Sequence, residues 1–190
     1  ILSQMPHENK HAAYAADITG DVLEFVTATY PRQFGQQVSS FSTLHVAEKI
    51  TPDTIVADLS QPEGLPQERV DCFICTQTFQ YIYDFEKGVA GAHRLLKPGG
   101  VVLATMPTVS QKSVADDQPW REYWRVTSDA AERAFGAVFG PEHVQVHAYG
   151  NMLVAAAFLL GLAVQDVSKR KREVYDPHYQ CLVAVRATKA

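Results

Sequence analysis

The chain has 190 residues, 46% of them apolar and 20% charged, with a formal net charge of −4. That suffices for one sizeable core and is cramped for two full domains. The acidic balance argues against a nucleic-acid footprint. The longest apolar stretch, 152–164, is too short to span a bilayer and contains Gly161, so a membrane partner is not expected either.

No secretory signal is read at the start, and opening on Ile1 rather than Met points to residues upstream. Residues 1–17, polar and small, with His7 and His11, are expected to form a leading arm or short helix ahead of a single domain over 18–190. Residues 21–26 read as a first strand, followed by a turn carrying Pro31. Residues 41–46 read as a second strand and 54–57 as a third, ending at Asp58 before a loop with Pro62, Gly64 and Pro66. The run 70–76 is almost continuously apolar, as in a strand buried on both faces of a parallel sheet.

Phe85, Val89, Ala92 and Leu96 recur at helical spacing, and Lys97-Pro98-Gly99-Gly100 is expected to stop that helix. Residues 101–106 form another buried-strand pattern. Ser128 is a plausible N-cap for a helix whose inner face is Ala131, Phe135, Val138 and Phe139. Val144, Val146 and Ala148 alternate with polar neighbours, the mark of a strand near the sheet edge; 151–162 reads as a buried or interface helix, and 181–186 as the final strand. The basic run 169–172 reads as a solvated loop. Cys72 and Cys75 lie three apart on one strand and so face opposite ways; with Cys181 they read as core residues, not a metal or redox set, in a reducing, cytoplasmic setting. Alternation of strands and helices argues for an open parallel sheet, whose ligands bind beyond the carboxyl ends of the strands.

Residues 70–107, VDCFICTQTFQYIYDFEKGVAGAHRLLKPGGVVLATMP, resemble the class I S-adenosylmethionine-dependent methyltransferases. There an acid (Asp71) opens the fourth strand, and a helix ending in Leu-Lys-Pro-Gly-Gly (96–100) leads straight into the fifth. The upstream VADLSQPEGLP fits the same family, and EYWRVTSDAAERAF, Tyr149-Gly150-Asn151 and CLVAVRA resemble its branch from sugar and natural-product biosynthesis. The resemblance implies a Rossmann-like α/β fold: a mostly parallel twisted sheet with an antiparallel last strand and helices on both faces. It also implies S-adenosylmethionine as cofactor. Asp58 would then take the adenine amino group, Leu59 would lie on the adenine face, and Thr76, Gln77 and Thr78 would line the methionine end, with Gln80 beyond them.

Two features depart from the family. Its glycine-rich loop after the first strand keeps the acid, Glu24, but has Val26, Ala28 and Tyr30 where glycines are usual. Valine resists positive φ, and Tyr30 is expected to fill space where ligand sits. No Asp or Glu stands between Gln33 and Ala47 to hold a ribose, leaving Ser42, Thr43 or His45 as neutral substitutes. For the chemistry, His7, His11 and His147 are candidate bases, while His93 reads as a packing residue. Tyr123 and Trp124 can stack on a ring, Arg125 can hold an anionic group, and Tyr149 and Asn151 sit after a late strand where they can line a substrate pocket. No metal site is expected. The expected function is methyl transfer to a small molecule, a sugar or natural-product intermediate. Its alternatives are an inactive scaffold with a biosynthetic partner or as a homodimer, and a non-methylating reaction on the same fold.

Overall fold

In the computed structural model, residues 12–26, 29–113 and 121–190 are described. The expectations placed on His7, His11 and Ala28 lie outside these residues. The strands are β1 (Gly20–Phe25), β2 (Val38–His45), β3 (Thr54–Val56), β4 (Val70–Thr76), β5 (Leu96–Pro107), β6 (Val144–Tyr149) and β7 (Leu182–Thr188). They form one seven-stranded sheet in the order β3-β2-β1-β4-β5-β7-β6. Pairing is parallel from β3 to β5, and β7 runs antiparallel to both β5 and β6. This is the Rossmann-like methyltransferase topology, and β6 lies at the edge, where its alternating pattern put it.

The α-helices are α1 (Thr29–Phe34), α2 (Phe85–Leu95), α3 (Ser128–Phe139), α4 (Met152–Leu159) and α5 (Lys169–Arg172). On one sheet face Leu23, Phe73, Val102, Met106, Val183 and Val185 join α2 and α3 in the main core. Phe135 sits at its centre, with Phe79 edge-on at 5.4 Å and Phe139 stacked at 6.2 Å. The opposite face carries a smaller cluster of Ile18, Val22, Cys72 and Ile74, with Tyr30, Phe34, Val38 and Leu103 packed on it. A 3-10 helix, Ala12–Asp17, is tied to this side: Arg186 on β7 donates Nε to Asp17 Oδ2 at 2.9 Å and Nη2 to Oδ1 at 2.7 Å.

Several boundaries differ from expectation, each for a local reason. The turn around Pro31 is the helix α1, because proline tolerates a first helical turn and Glu24 accepts the backbone N–H of Tyr30. Lys97 to Gly100 belong to β5: Leu96 pairs with Val70, and Gly99 and Gly100 exchange backbone hydrogen bonds with Lys189. Glycine suits this crowded start, since a Cβ on Gly100 would lie 2.9 Å from Lys97 O and 3.1 Å from Asp71 O. Lys97 Nζ clamps this start by bonding Asp21 Oδ2 at 2.7 Å and Asp71 Oδ2 at 2.8 Å. The cap of α3 is Thr127, whose hydroxyl accepts from Ala130 N, instead of Ser128. The basic run is the short helix α5, and α4 is shorter than 151–162, with Asn151 as its cap. Among the described residues no helix is long and apolar enough to cross a membrane.

Candidate functional site

The carboxyl ends of β1, β2, β3, β4 and β5 open on one edge of the sheet. At the end of β1, Glu24 is only 1% exposed and its Oε2 accepts the Tyr30 N–H at 3.0 Å. The next residue but one, Val26, has φ 72° and donates its N–H to Leu44 O at 2.9 Å. An L-residue in the left-handed region costs roughly 1–2 kcal/mol, and a β-branched one is rarer still there. The turn geometry suited to glycine is therefore present with valine in it, its side chain 37% exposed.

Tyr30 lies on the second sheet face, with its hydroxyl end at the strand tips. Its ring stacks on Phe34 at 6.1 Å and packs on the second-face cluster, where Val38 and Leu103 also cover it. Its hydroxyl reaches the Thr76 side chain at the tip of β4. Burial, reinforced by the nearby Glu24, raises the Tyr30 pKa above its ordinary value, with the Thr76 bond acting the other way.

Of the ribose substitutes only His45 lies at a strand tip. It is buried, and its Nδ1 accepts the N–H of Glu48 at 3.0 Å and of Ala47 at 3.4 Å, which puts the ring proton of the neutral form on Nε2. Thr43 is engaged with Thr54 at 2.8 Å, and Ser42 sits within β2. Asp58 uses Oδ1 to accept Ser60 N and Oγ, both at 2.8 Å, and its Oδ2 has no partner among the described residues. Leu59 departs from expectation: its side chain, 2% exposed, belongs to the main core under α2 and is not presented to a ligand. The close approach of α2 explains this, since a Cβ on Gly91 would lie 2.3 Å from Leu59 O.

Beyond β4, Gln77 is also left-handed, φ 50°, and its N–H bonds Thr105 O on β5 at 2.8 Å. Thr78 is buried, its hydroxyl donating to Thr76 O at 3.0 Å. Gln80 is 2% exposed; its Nε2 donates to Gln77 O at 3.0 Å, while its Oε1 is buried with no partner among the described residues. Flipping the amide would set two oxygens together, so the assignment stands. A buried acceptor left unpaired costs roughly 1–3 kcal/mol, which marks a place for a donor.

The segment 121–126 closes over these tips. Tyr123 N and Trp124 N both donate to Gln80 O, and Trp124 Nε1 donates to Ile82 O at 2.9 Å. Tyr83 meets Tyr123 edge-on at 5.2 Å and stacks on Trp124 at 6.2 Å, all three rings exposed. Tyr83 was not anticipated from sequence, though its place in the turn after β4 was a usable signal. Arg125 is not available for an anionic group: it is paired with Glu122 at 2.9 Å and donates to Gln111 O at 2.8 Å.

The β6 residues lie apart. Thr76 pairs with Thr105, Thr105 with Ala184 and Ala184 with His147, so His147 is three strand spacings, about 14 Å, from the tip of β4. That distance removes it as a base at those tips. Its exposed ring lies 6.4 Å from Tyr14. Burial, with Tyr14 adding, pushes the Tyr149 hydroxyl up to about 12. Asn151 is structural: Oδ1 accepts Val154 N at 3.0 Å, while Nδ2 donates to Lys171 O at 3.0 Å and Val174 O at 2.6 Å. His93 packs edge-on against Phe139 at 4.9 Å, and burial lowers its pKa. Cys72 and Cys75 fall in opposite cores, and burial pushes both thiols up to about 12.

Comparison with known proteins gives one family model, described as a methyltransferase domain, which matches residues 4–104. No curated protein matches the chain. Among solved structures, an S-adenosylmethionine-dependent methyltransferase from Mesorhizobium loti is similar with TM-score 0.63 and 13% identity, over 100% of each chain. Phosphoethanolamine N-methyltransferase 2 from Haemonchus contortus, in complex with S-adenosyl-L-methionine, is similar with TM-score 0.59 and 16% identity, over 96% of this chain and 52% of that one. The cyclase SpnF is similar with TM-score 0.53 and 14% identity, over 95% and 80%. At these identities the likeness is one of fold.

Proposed function

The chain belongs to the methyltransferase domain family, and from that premise we propose that it transfers a methyl group from S-adenosylmethionine to a small molecule. The observation that carries the reading is the buried, unpaired Oε1 of Gln80 beside the left-handed turn at Gln77. The residues present fit the cofactor in part. Asp58 Oδ2 is open to an amino donor, Gln80 Oε1 awaits another donor, and His45 stands at the β2 tip where a carboxylate is usual.

When bound, the cofactor supplies an electrophilic methyl group. The chain's own task is placement. Glu24 holds the first turn through Tyr30 N, and Gln77 is fixed to Thr105 between the β4 and β5 tips. Segment 121–126, pinned to Gln80 O, screens this edge from water and presents Tyr83, Tyr123 and Trp124 as a wall for a ring-bearing acceptor, a sugar or natural-product intermediate. His147 is too distant to take a proton there, and the other candidate bases, His7 and His11, lie outside the described residues. A cytoplasmic setting is part of the same reading, supported by three free, buried thiols.

One observation favours a second reading, a non-catalytic partner protein or homodimer. Helix α4 and the residues after it leave Met152, Leu153, Leu159, Leu160 and Leu162 exposed. Titration with S-adenosylmethionine and S-adenosylhomocysteine separates the two readings. Saturable heat and a raised melting temperature are expected; neither signal at millimolar ligand would remove the enzyme reading.

A further inference from the structure

A second concave site lies at the far end of the same sheet. Of the four consecutive cations of α5, Lys169, Arg170 and Lys171 are exposed, and Arg172 alone is half-buried. Its Nε is enclosed and has no hydrogen-bond partner among the described residues. Arg172 lines a groove of about 340 Å³ together with Val146, His147, Tyr149, Val174 and Tyr175. That volume is in the range of small-molecule sites.

The walls of the groove are built and held. Asn151 on the β6 side donates to Lys171 O and Val174 O, fixing the residues on both sides of Arg172. Asp176 N bonds Gly150 O at 2.9 Å and Cys181 N bonds Tyr149 O at 2.7 Å. Gly150, at φ 132°, leaves no room for a side chain, since a Cβ would lie 2.7 Å from Cys181 Sγ. Glu173 also lines the groove, and its carboxylate is paired with Lys169 at 3.9 Å. The terminal Nη1 and Nη2 of Arg172, unlike the enclosed Nε, are accessible and form no hydrogen bond among the described residues, and their planar fork matches the two oxygens of an oxyanion. Tyr149, at the end of β6, lines the groove, and burial keeps its hydroxyl protonated.

We propose that this groove binds a small organic molecule carrying a phosphate or carboxylate, with the oxyanion on Arg172 and the organic part against Tyr149 and Tyr175. The site is three strands from the tip of β4 and needs no methyl donor.

The test is an amide-resolved NMR titration of the full chain, without any S-adenosyl compound. Phenyl phosphate and benzoate are the probes, and benzyl alcohol is the uncharged control. Saturable shifts at residues 146–150 and 172–175 are expected from at least one anion, and which anion binds more tightly identifies the head group. Arg172→Gln is expected to weaken that binding about tenfold or more. Arg172→Lys, which keeps the charge and loses the fork, is expected to weaken it about threefold. Absence of saturable shifts there with both anions overturns the proposal, as does equal binding by benzyl alcohol. Should Arg172→Gln not fold by thermal melt, Arg172→Lys decides alone, and unchanged affinity in that variant is the overturning result.

Discussion

Glu24 carries a carboxylate that is almost wholly buried in β1, and removing it has a calculable effect. Its Oε2 accepts the N–H of Tyr30, one of the donors that the first turn of α1 leaves without an intrahelical partner. In Glu24→Ala that buried N–H loses its acceptor, at roughly 1–3 kcal/mol, and α1 loses a negative charge at its positive end, at about 0.3–1 kcal/mol. The sum is about 2–4 kcal/mol with the void included. For a chain of this length a melting temperature moves about 2–4 °C per kcal/mol, so a fall of about 4–16 °C is expected. Glu24→Gln keeps the shape and an acceptor oxygen while burying an amide, and a fall of about 2–8 °C is expected for it. Calorimetric melts of both variants check the order. Because the same carboxylate positions the turn before the strand tips, S-adenosylhomocysteine affinity should drop in parallel. If Glu24→Ala melts within about 1 °C of the parent, the carboxylate is not holding the turn and the account of the β1 end is wrong.

Two further perturbations bear on the same edge and on its opposite end. Val26→Gly removes a left-handed valine worth roughly 1–2 kcal/mol of strain and adds about 0.4–1 kcal/mol of unfolded-state freedom. A melting temperature equal to or slightly above the parent's is expected, with tighter S-adenosylhomocysteine binding; a fall beyond about 3 °C would contradict the strain. At the amino end of β1, the hydrogen bond from Lys97 holds the Asp21 carboxyl below its usual range, and Lys97 itself is raised by Asp21 and Asp71. Asp21 therefore adds stability that is present above about pH 4 and lost as pH falls through its lower folded value. Lys97 adds stability present below about pH 10 and lost as pH rises through its raised value. The groups are about one-third exposed, so the effect is modest. Lys97→Met should lower the melting temperature most between these limits and converge with the parent in acid; a difference independent of pH would refute the pairing.

The central strands were legible because burial on both faces leaves a nearly unbroken apolar run, as in Val70–Thr76, while the edge strand β6 showed its alternation. Those patterns are local and survive without knowledge of neighbours. The placement of Asp58 and Gln77 just past strand ends followed from the same reading. Site details were less legible. Leu59 went to the core because α2 presses on its backbone, and Arg125 was consumed by Glu122 and loop carbonyls.

Residue order, hydrophobic period and a few turn signals were sufficient for the layered parallel sheet and for the edge on which a ligand would sit. Which polar atoms are left over at that edge depended on distant chain crossings. Asp17 meets Arg186 across 169 positions, Trp124 docks on Ile82 across 42, and Gln80 is sealed beneath a segment more than forty residues away. Periodicity reports how much of a side chain is covered, but a hydrogen bond depends on what covers it, and that is set only when the chain has folded.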